Sequence, residues 1–277
     1  MDSNEQNQIF AVLILIICAL TAICIVGGAV LGIVKLANQE PTDKPSVDST
    51  GSDTADTDVG VTPQEVILEE CPDVGMEYID SMIFFGESTT AHLRSRGVLT
   101  GGTETHQVWA DASGTQRLSS QLLSNEIIYP PTQASMKITD ACATAKPDIM
   151  VLSFGHNGLE GFIANKSSYV NNYGRLIAAI QAASPETKII LQTVYPIRAT
   201  GNYSADLKTL NGYIDTLNSW LPEIAAQYEN VRVADTASVL KNTENELLAS
   251  YDNGDGIHLT ASAYREILGY LRTHAWQ

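Results

Sequence analysis

The sequence predicts an α/β domain in which a parallel sheet carries helices on both faces. Two observations lead there. From residue 76 onward, short apolar runs alternate with longer amphipathic stretches. The first of these runs, residues 82–85, reads as a short buried strand. Strand–helix alternation of this kind gives parallel sheets, and active sites in such sheets gather outside the carboxyl ends of the strands.

The strands are expected at residues 82–85, 107–109, 148–154, 188–194 and 231–234. Helical patterns lie between them at 134–145, 169–183, 207–228 with an interruption near Pro222, and 261–276. In the second pattern Val170, Tyr173, Leu176, Ile177 and Ile180 recur at helical spacing, and in the last Tyr264, Ile267, Leu268 and Leu271 share a face. No internal repeat is visible.

The chain has 277 residues, enough for one sizeable domain with additions. Residues 1–8 are short and polar. Residues 9–34 contain no charge. As a helix this run would be nearly ~40 Å long, more than the ~30 Å hydrocarbon core, and it reads as a transmembrane anchor. A cleaved signal peptide is the competing reading. The run is long for one, no Lys or Arg precedes it, and no small-x-small site closes it. Lys35 and Lys44 follow the run, which read literally places the large domain inside. The stalk-like linker favours an extracellular domain on a single-pass protein.

That linker, residues 35–65, is rich in Asp, Thr, Ser, Pro and Gly and is expected to be a flexible tether. The net charge of −16 sits largely there. No basic stripe exists to neutralise phosphates, so a nucleic-acid partner is not expected. Residues 66–277 are the expected catalytic domain. Cys18 and Cys24 fall in the apolar run. Cys71 and Cys142 are either a disulfide or two free thiols. No Cys/His spacing suits zinc.

The first strand ends abruptly in Gly86-Glu87-Ser88, ahead of helix-compatible residues. A serine at a strand-to-helix turn leaves the sheet edge beside free N–H groups. Gly155-His156-Asn157-Gly158 follows the third strand, and Asp255-Gly256-Ile257-His258 precedes the last helix. Serine hydrolysis needs a nucleophile, a base and a carboxylate that orients the base. Ser88, His258 and Asp255 supply those three types. The Ser88 N–H and the Asn157 amide are candidate oxyanion donors.

These blocks, in this order, resemble the signature blocks of the SGNH/GDSL hydrolases over residues 76–277. The resemblance implies a three-layer α/β/α sandwich around a five-stranded parallel sheet, a flavodoxin-like SGNH hydrolase fold. It also implies an oxyanion-hole glycine after the second strand, for which Gly114 is the best match. The family usually has Asp at the position of Glu87 and often Asn-Asp where this chain has Asn157-Gly158. The α/β-hydrolase elbow fits less well, because position 90 is Thr rather than Gly.

The expected function is a membrane-anchored serine esterase with no metal or organic cofactor. Its ester substrate would carry a short acyl group on a surface carbohydrate or peptidoglycan. The alternatives are a lipase- or thioesterase-type acylhydrolase, an acyltransferase on the same residues, or a non-catalytic glycan-binding surface module. His156 is expected to point away or line the pocket. His92, His106 and His274 are expected to be surface or packing residues. Trp109 and Tyr195 are candidate pocket walls, Trp109 more naturally a core residue.

Overall fold

A computed structural model describes residues 62–277. The expected anchor, and the linker up to residue 61, lie outside the described residues. Among the described residues no helix is long and apolar enough to cross a membrane.

Five parallel strands form the main sheet: β1 (Met82–Gly86), β2 (Val108–Trp109), β5 (Ile149–Ser153), β6 (Lys188–Gln192) and β7 (Val231–Ala234). Their spatial order is β2-β1-β5-β6-β7. Neighbouring strands β1 and β5 are therefore joined in sequence to opposite sides of the sheet. The crevice at their carboxyl ends is a topological switch point, where ligands bind in open α/β sheets. Gly86 and Ser153 pair at that end.

Two apolar cores lie on the two faces. Period-two alternation sends Phe85, Met150, Leu152, Ile189, Leu191, Val231 and Val233 to one core. Met82, Phe84, Ile149, Val151, Ile190 and Ala234 go to the other. The first core is covered by α3 (Ile138–Ala145), α5 (Lys166–Ala183) and α6 (Leu207–Ala225); the second by α1 (Met76–Asp80), α2 (Ser88–Ser95) and α7 (Ala261–Thr273). A short α4 (Leu159–Ala164) sits between the β5 loop and α5.

The long helices begin where sequence chemistry lets them. The side chains of Asn165, Asp206 and Thr260 accept the N–H groups of Ser168, Thr209 and Ala263, satisfying donors that the first turn leaves free. Tyr169, Tyr173, Leu176, Ile177 and Ile180 form the buried stripe of α5. At Pro222 the structure corrects the expectation: α6 runs through it to Ala225. A proline removes one ladder bond, but Leu217 and Leu221 before it and Ile224 after it are all buried, so packing on both sides holds the helix.

A second correction concerns 134–145. Its first four residues form a strand, β4 (Ala134–Lys137), paired antiparallel with β3 (Glu126–Tyr129), and the helix starts only at Ile138. Met136, partly buried against the first core, meets Ile127 across the hairpin. The opposite edge of the main sheet is covered too: Ile67 bridges Val233 in parallel, with Leu68 N–H donating to Val233 O and Val233 N–H to Val66 O, both at 2.8 Å.

Among the described residues Cys71 and Cys142 form no disulfide. Cys71 accepts the Ala275 N–H beside the C-terminus, whereas Cys142 is buried in the first core. Burial pushes the Cys142 thiol up to about 12, so it packs as a small apolar group.

The central position of β5 sets a stability expectation. Leu152→Ala leaves a cavity under a fully buried side chain and should cost about 2–5 kcal/mol. The exposed Met76→Ala should stay within about 0.5 kcal/mol of wild type. Urea denaturation of both variants checks the contrast.

Candidate active site

Gly86 ends β1 where no side chain fits. A Cβ there would lie 2.3 Å from Ser153 O and 2.3 Å from Thr90 Oγ1. The missing side chain lets the chain turn tightly against β5 and begin α2 at Ser88, with Glu87 as the extended N-cap. Ser88 is thus the first helical residue, and its N–H is one of the donors a helix start leaves free.

Glu87 points inward and is 1% exposed. Its carboxyl accepts the Gly155 N–H at 3.2 Å and the Asn157 N–H at 3.1 Å. It therefore joins the β1 turn to the loop after β5. The same loop is held from behind by the Tyr169 and Tyr173 hydroxyls, which donate to Phe154 O at 3.1 and 3.3 Å. Burial pushes the Glu87 carboxyl up to about 7, against the N–H groups of Asn157, Gly155 and His156 and the Arg117 charge, all of which favour the anion.

The third segment comes from the loop before α7. Asp255 Oδ1 accepts the N–H groups of Ile257 at 2.9 Å and His258 at 2.8 Å, and its Oδ2 faces His258 Nδ1 at 2.7 Å. Gly256 has φ +78°, and a Cβ there would lie 2.3 Å from that of Ala199. Its carbonyl accepts the Arg198 N–H at 2.6 Å. The 194–198 segment is in turn held on α6 by Asn218 and Asn211, each of which binds both backbone groups of its partner, Val194 and Ile197.

These three segments converge. Ser88 Oγ lies 3.0 Å from His258 Nε2. A carboxylate only accepts, so the Asp255 contact places the proton on Nδ1 and leaves Nε2 free to accept the Ser88 hydroxyl. Burial raises the Asp255 carboxyl, but the hydrogen bonds from His258 and Ile257 outweigh it and hold the group down at about 2. Asp255 therefore stays ionised.

A cavity of about 380 Å³ opens beside Ser88 and His258. Asn157 lines it and donates one side-chain N–H to Gln116 O at 3.2 Å, leaving the other free. Gly114 does not line it. Its N–H donates to Asp111 O at 3.2 Å, closing a turn, so the geometry removes the expected third oxyanion donor. His156 lines the cavity as a fully buried ring whose nitrogens have no partner. Burial first, and then the nearby His258, pull it down to about 4. It stays neutral near pH 7 and adds no charge opposite His258.

Trp109 is a core residue, edge-on to Tyr129. Tyr195 is buried too and takes a hydrogen bond from Gln192 rather than facing the cavity. His274 stacks on Tyr270. His92 is a packing residue, as one of the two expected roles had it: its ring lies against His258 with centroids 4.6 Å apart. The signal was available, since His92 lies four residues after Ser88 on one helix face. Thr89, Arg117, Gly158, Asn202, Tyr203 and Ile257 complete the lining; of these Arg117, Asn202, Tyr203 and Ile257 carried no sequence signal. Tyr203 donates to His156 O at 2.6 Å. Among the described residues no cluster of His, Cys, Asp and Glu is arranged to hold a metal ion.

A hydroxyl, an imidazole and a carboxylate in this geometry are what serine-dependent ester hydrolysis requires. Residues 84–266, more than half of the chain, match the GDSL-like Lipase/Acylhydrolase family, and the chain belongs to that family. It is an ester-hydrolysing enzyme. No curated protein matches the sequence. Among solved structures, it is similar to a carbohydrate esterase family 3 protein from Talaromyces cellulolyticus (17% identity, TM-score 0.45, covering 69% of this chain and 93% of that one). It is also similar to a family 3 carbohydrate esterase of Clostridium thermocellum (15%, 0.43, 70% and 93%). A GDSL-like lipase from Bacteroides thetaiotaomicron VPI-5482 gives 16%, 0.46, 70% and 86%.

The Glu87 carboxyl makes a pH signature. In the unfolded chain it titrates near 4.5, and in the fold near 7. Its contribution to stability is complete below 4.5 and is lost as the pH rises through 7. That loss is on the order of 3 kcal/mol. Glu87→Gln cannot titrate, so the fall in stability due to this carboxyl should be absent in the variant, leaving only the rise that the lowered His156 and His92 contribute over the same range. Urea denaturation between pH 4 and 8 measures it, and equal slopes in the two proteins would count against the assignment.

Proposed function

We propose that the chain is a serine esterase in which Ser88, His258 and Asp255 act as a triad. The unbroken hydrogen-bond chain from Ser88 through His258 to Asp255, at the mouth of a cavity, carries this reading. His258 Nε2 takes the Ser88 proton as Oγ attacks the acyl carbon. The oxyanion is met by the Ser88 N–H and the free Asn157 N–H. Asp255 holds the tautomer and stabilises the charged imidazole. The carbon–oxygen bond to the alcohol breaks, and the alcohol leaves with the proton from His258. Water then gives a proton to His258 and attacks the acyl-enzyme. The carboxylic acid departs, and Ser88 regains its proton.

A short acyl group fits better than a fatty chain. Ile257 is the one aliphatic residue lining the cavity. The polar remainder of the lining suits an alcohol with many hydroxyls, such as an acylated carbohydrate on the cell surface. Ser88→Ala should lower kcat for a short-chain aryl acetate by about 10³-fold or more, with the thermal midpoint unchanged within a few degrees. Undiminished turnover would rule Ser88 out as nucleophile.

The uncharged run at residues 9–34 supports a retained anchor, with the enzyme outside on its acidic tether. Protease added to intact cells should then cut within residues 35–61 and release an active domain. Release only after lysis would place the domain inside.

A further inference from the structure

A second cavity, of about 530 Å³, adjoins the first. The two share Arg117 and Gly158 in their linings. The second is walled by Ser119, Asn165, Ser168 and Asn172, with Phe162 as an apolar surface. Hydroxyls and amides around one aromatic ring suit a polyhydroxylated ring, which offers hydrogen bonds at its rim and C–H groups on its face.

Arg117 stands where the cavities meet. Its Nε donates to Asn157 O at 3.2 Å, which fixes the guanidinium on the wall. Among the described residues no carboxylate lies within ion-pair distance of it. Neither lining contains an Asp or Glu, and Arg117 is the one lysine or arginine in both. Glu87 feels its charge but is buried behind the Asn157 loop and reaches neither cavity. The two terminal amino groups of Arg117 are thus free to form a fork for a planar anion.

We infer that the second cavity is the alcohol subsite of the esterase, and that it takes an acidic sugar whose carboxylate binds Arg117. The inference rests on the esterase reading for its orientation: with the acyl carbon at Ser88, the departing oxygen faces the Arg117–Gly158 junction. The carboxylate then sits beside Arg117 and the ring lies against Phe162.

The test uses the full-length chain and two sugars without an ester, so it does not depend on turnover. Methyl glucuronide and methyl glucoside are titrated by calorimetry or saturation-transfer NMR. The glucuronide should bind at least about tenfold tighter. Arg117→Gln should bring the ratio near one, and Arg117→Lys should keep part of it. Gly161→Trp, at a helix position where an added Cβ meets nothing within 4 Å, should fill the cavity and weaken both sugars. Equal affinity for the two sugars, no binding of either, or a ratio that survives Arg117→Gln would overturn the inference. Failure of the esterase reading would look different: Ser88→Ala would retain turnover, while glucuronide selectivity stood unchanged.

Discussion

The site depends on one buried carboxyl. Glu87 follows the glycine that ends β1, and its side chain crosses the switch point to take the N–H groups of Gly155 and Asn157. Two loops that leave neighbouring strands are thereby locked in register. Ser88 comes next in sequence on one side, and the Asn157 side chain projects on the other. A buried carboxyl is costly unless it is hydrogen-bonded, and here the donors are the backbone of the loop that must be held. The group raised toward neutrality by burial is thus also the group that sets the spacing between Ser88 and the Asn157 side chain.

The rest of the site is layered outward from that tie. The Asp255–His258 loop is not joined to Glu87 at all. It reaches Ser88 through a separate line of support, from two asparagines on α6 to the 194–198 segment and from there to Gly256. Two independent supports meet at the 3.0 Å contact between Ser88 and His258. The neutral rings of His92 and His156 fill the space around that contact without adding charge.

Much of this was legible in the sequence. The five strands were visible because each carries a short, mostly apolar run between longer amphipathic stretches, though Arg232 interrupts the last. Ser88, Asn157, Asp255 and His258 were visible because each lies at a strand or helix boundary, where short motifs mark the turn. The hairpin of β3 and β4 was not, because Ala134–Lys137 is largely exposed and carries no period that separates it from the helix behind it. Gly114 was misjudged because a glycine in a loop says nothing about where its N–H points, and here it closes a turn on Asp111. Arg117 could not be seen as part of a site, since only the fold brings it to Asn157, forty positions away.

The edge pairing of Val66–Leu68 bears on how the domain would respond to force. Any pull arriving through the preceding chain enters at Val66, and along the strand axis it loads the two hydrogen bonds to Val233 together, in shear. The load passes into β7, with β6 and β5 lying between that strand and β1. Ser88 is therefore mechanically insulated: tension entering at Val66 would strip an outer strand before it disturbed the turn at Glu87.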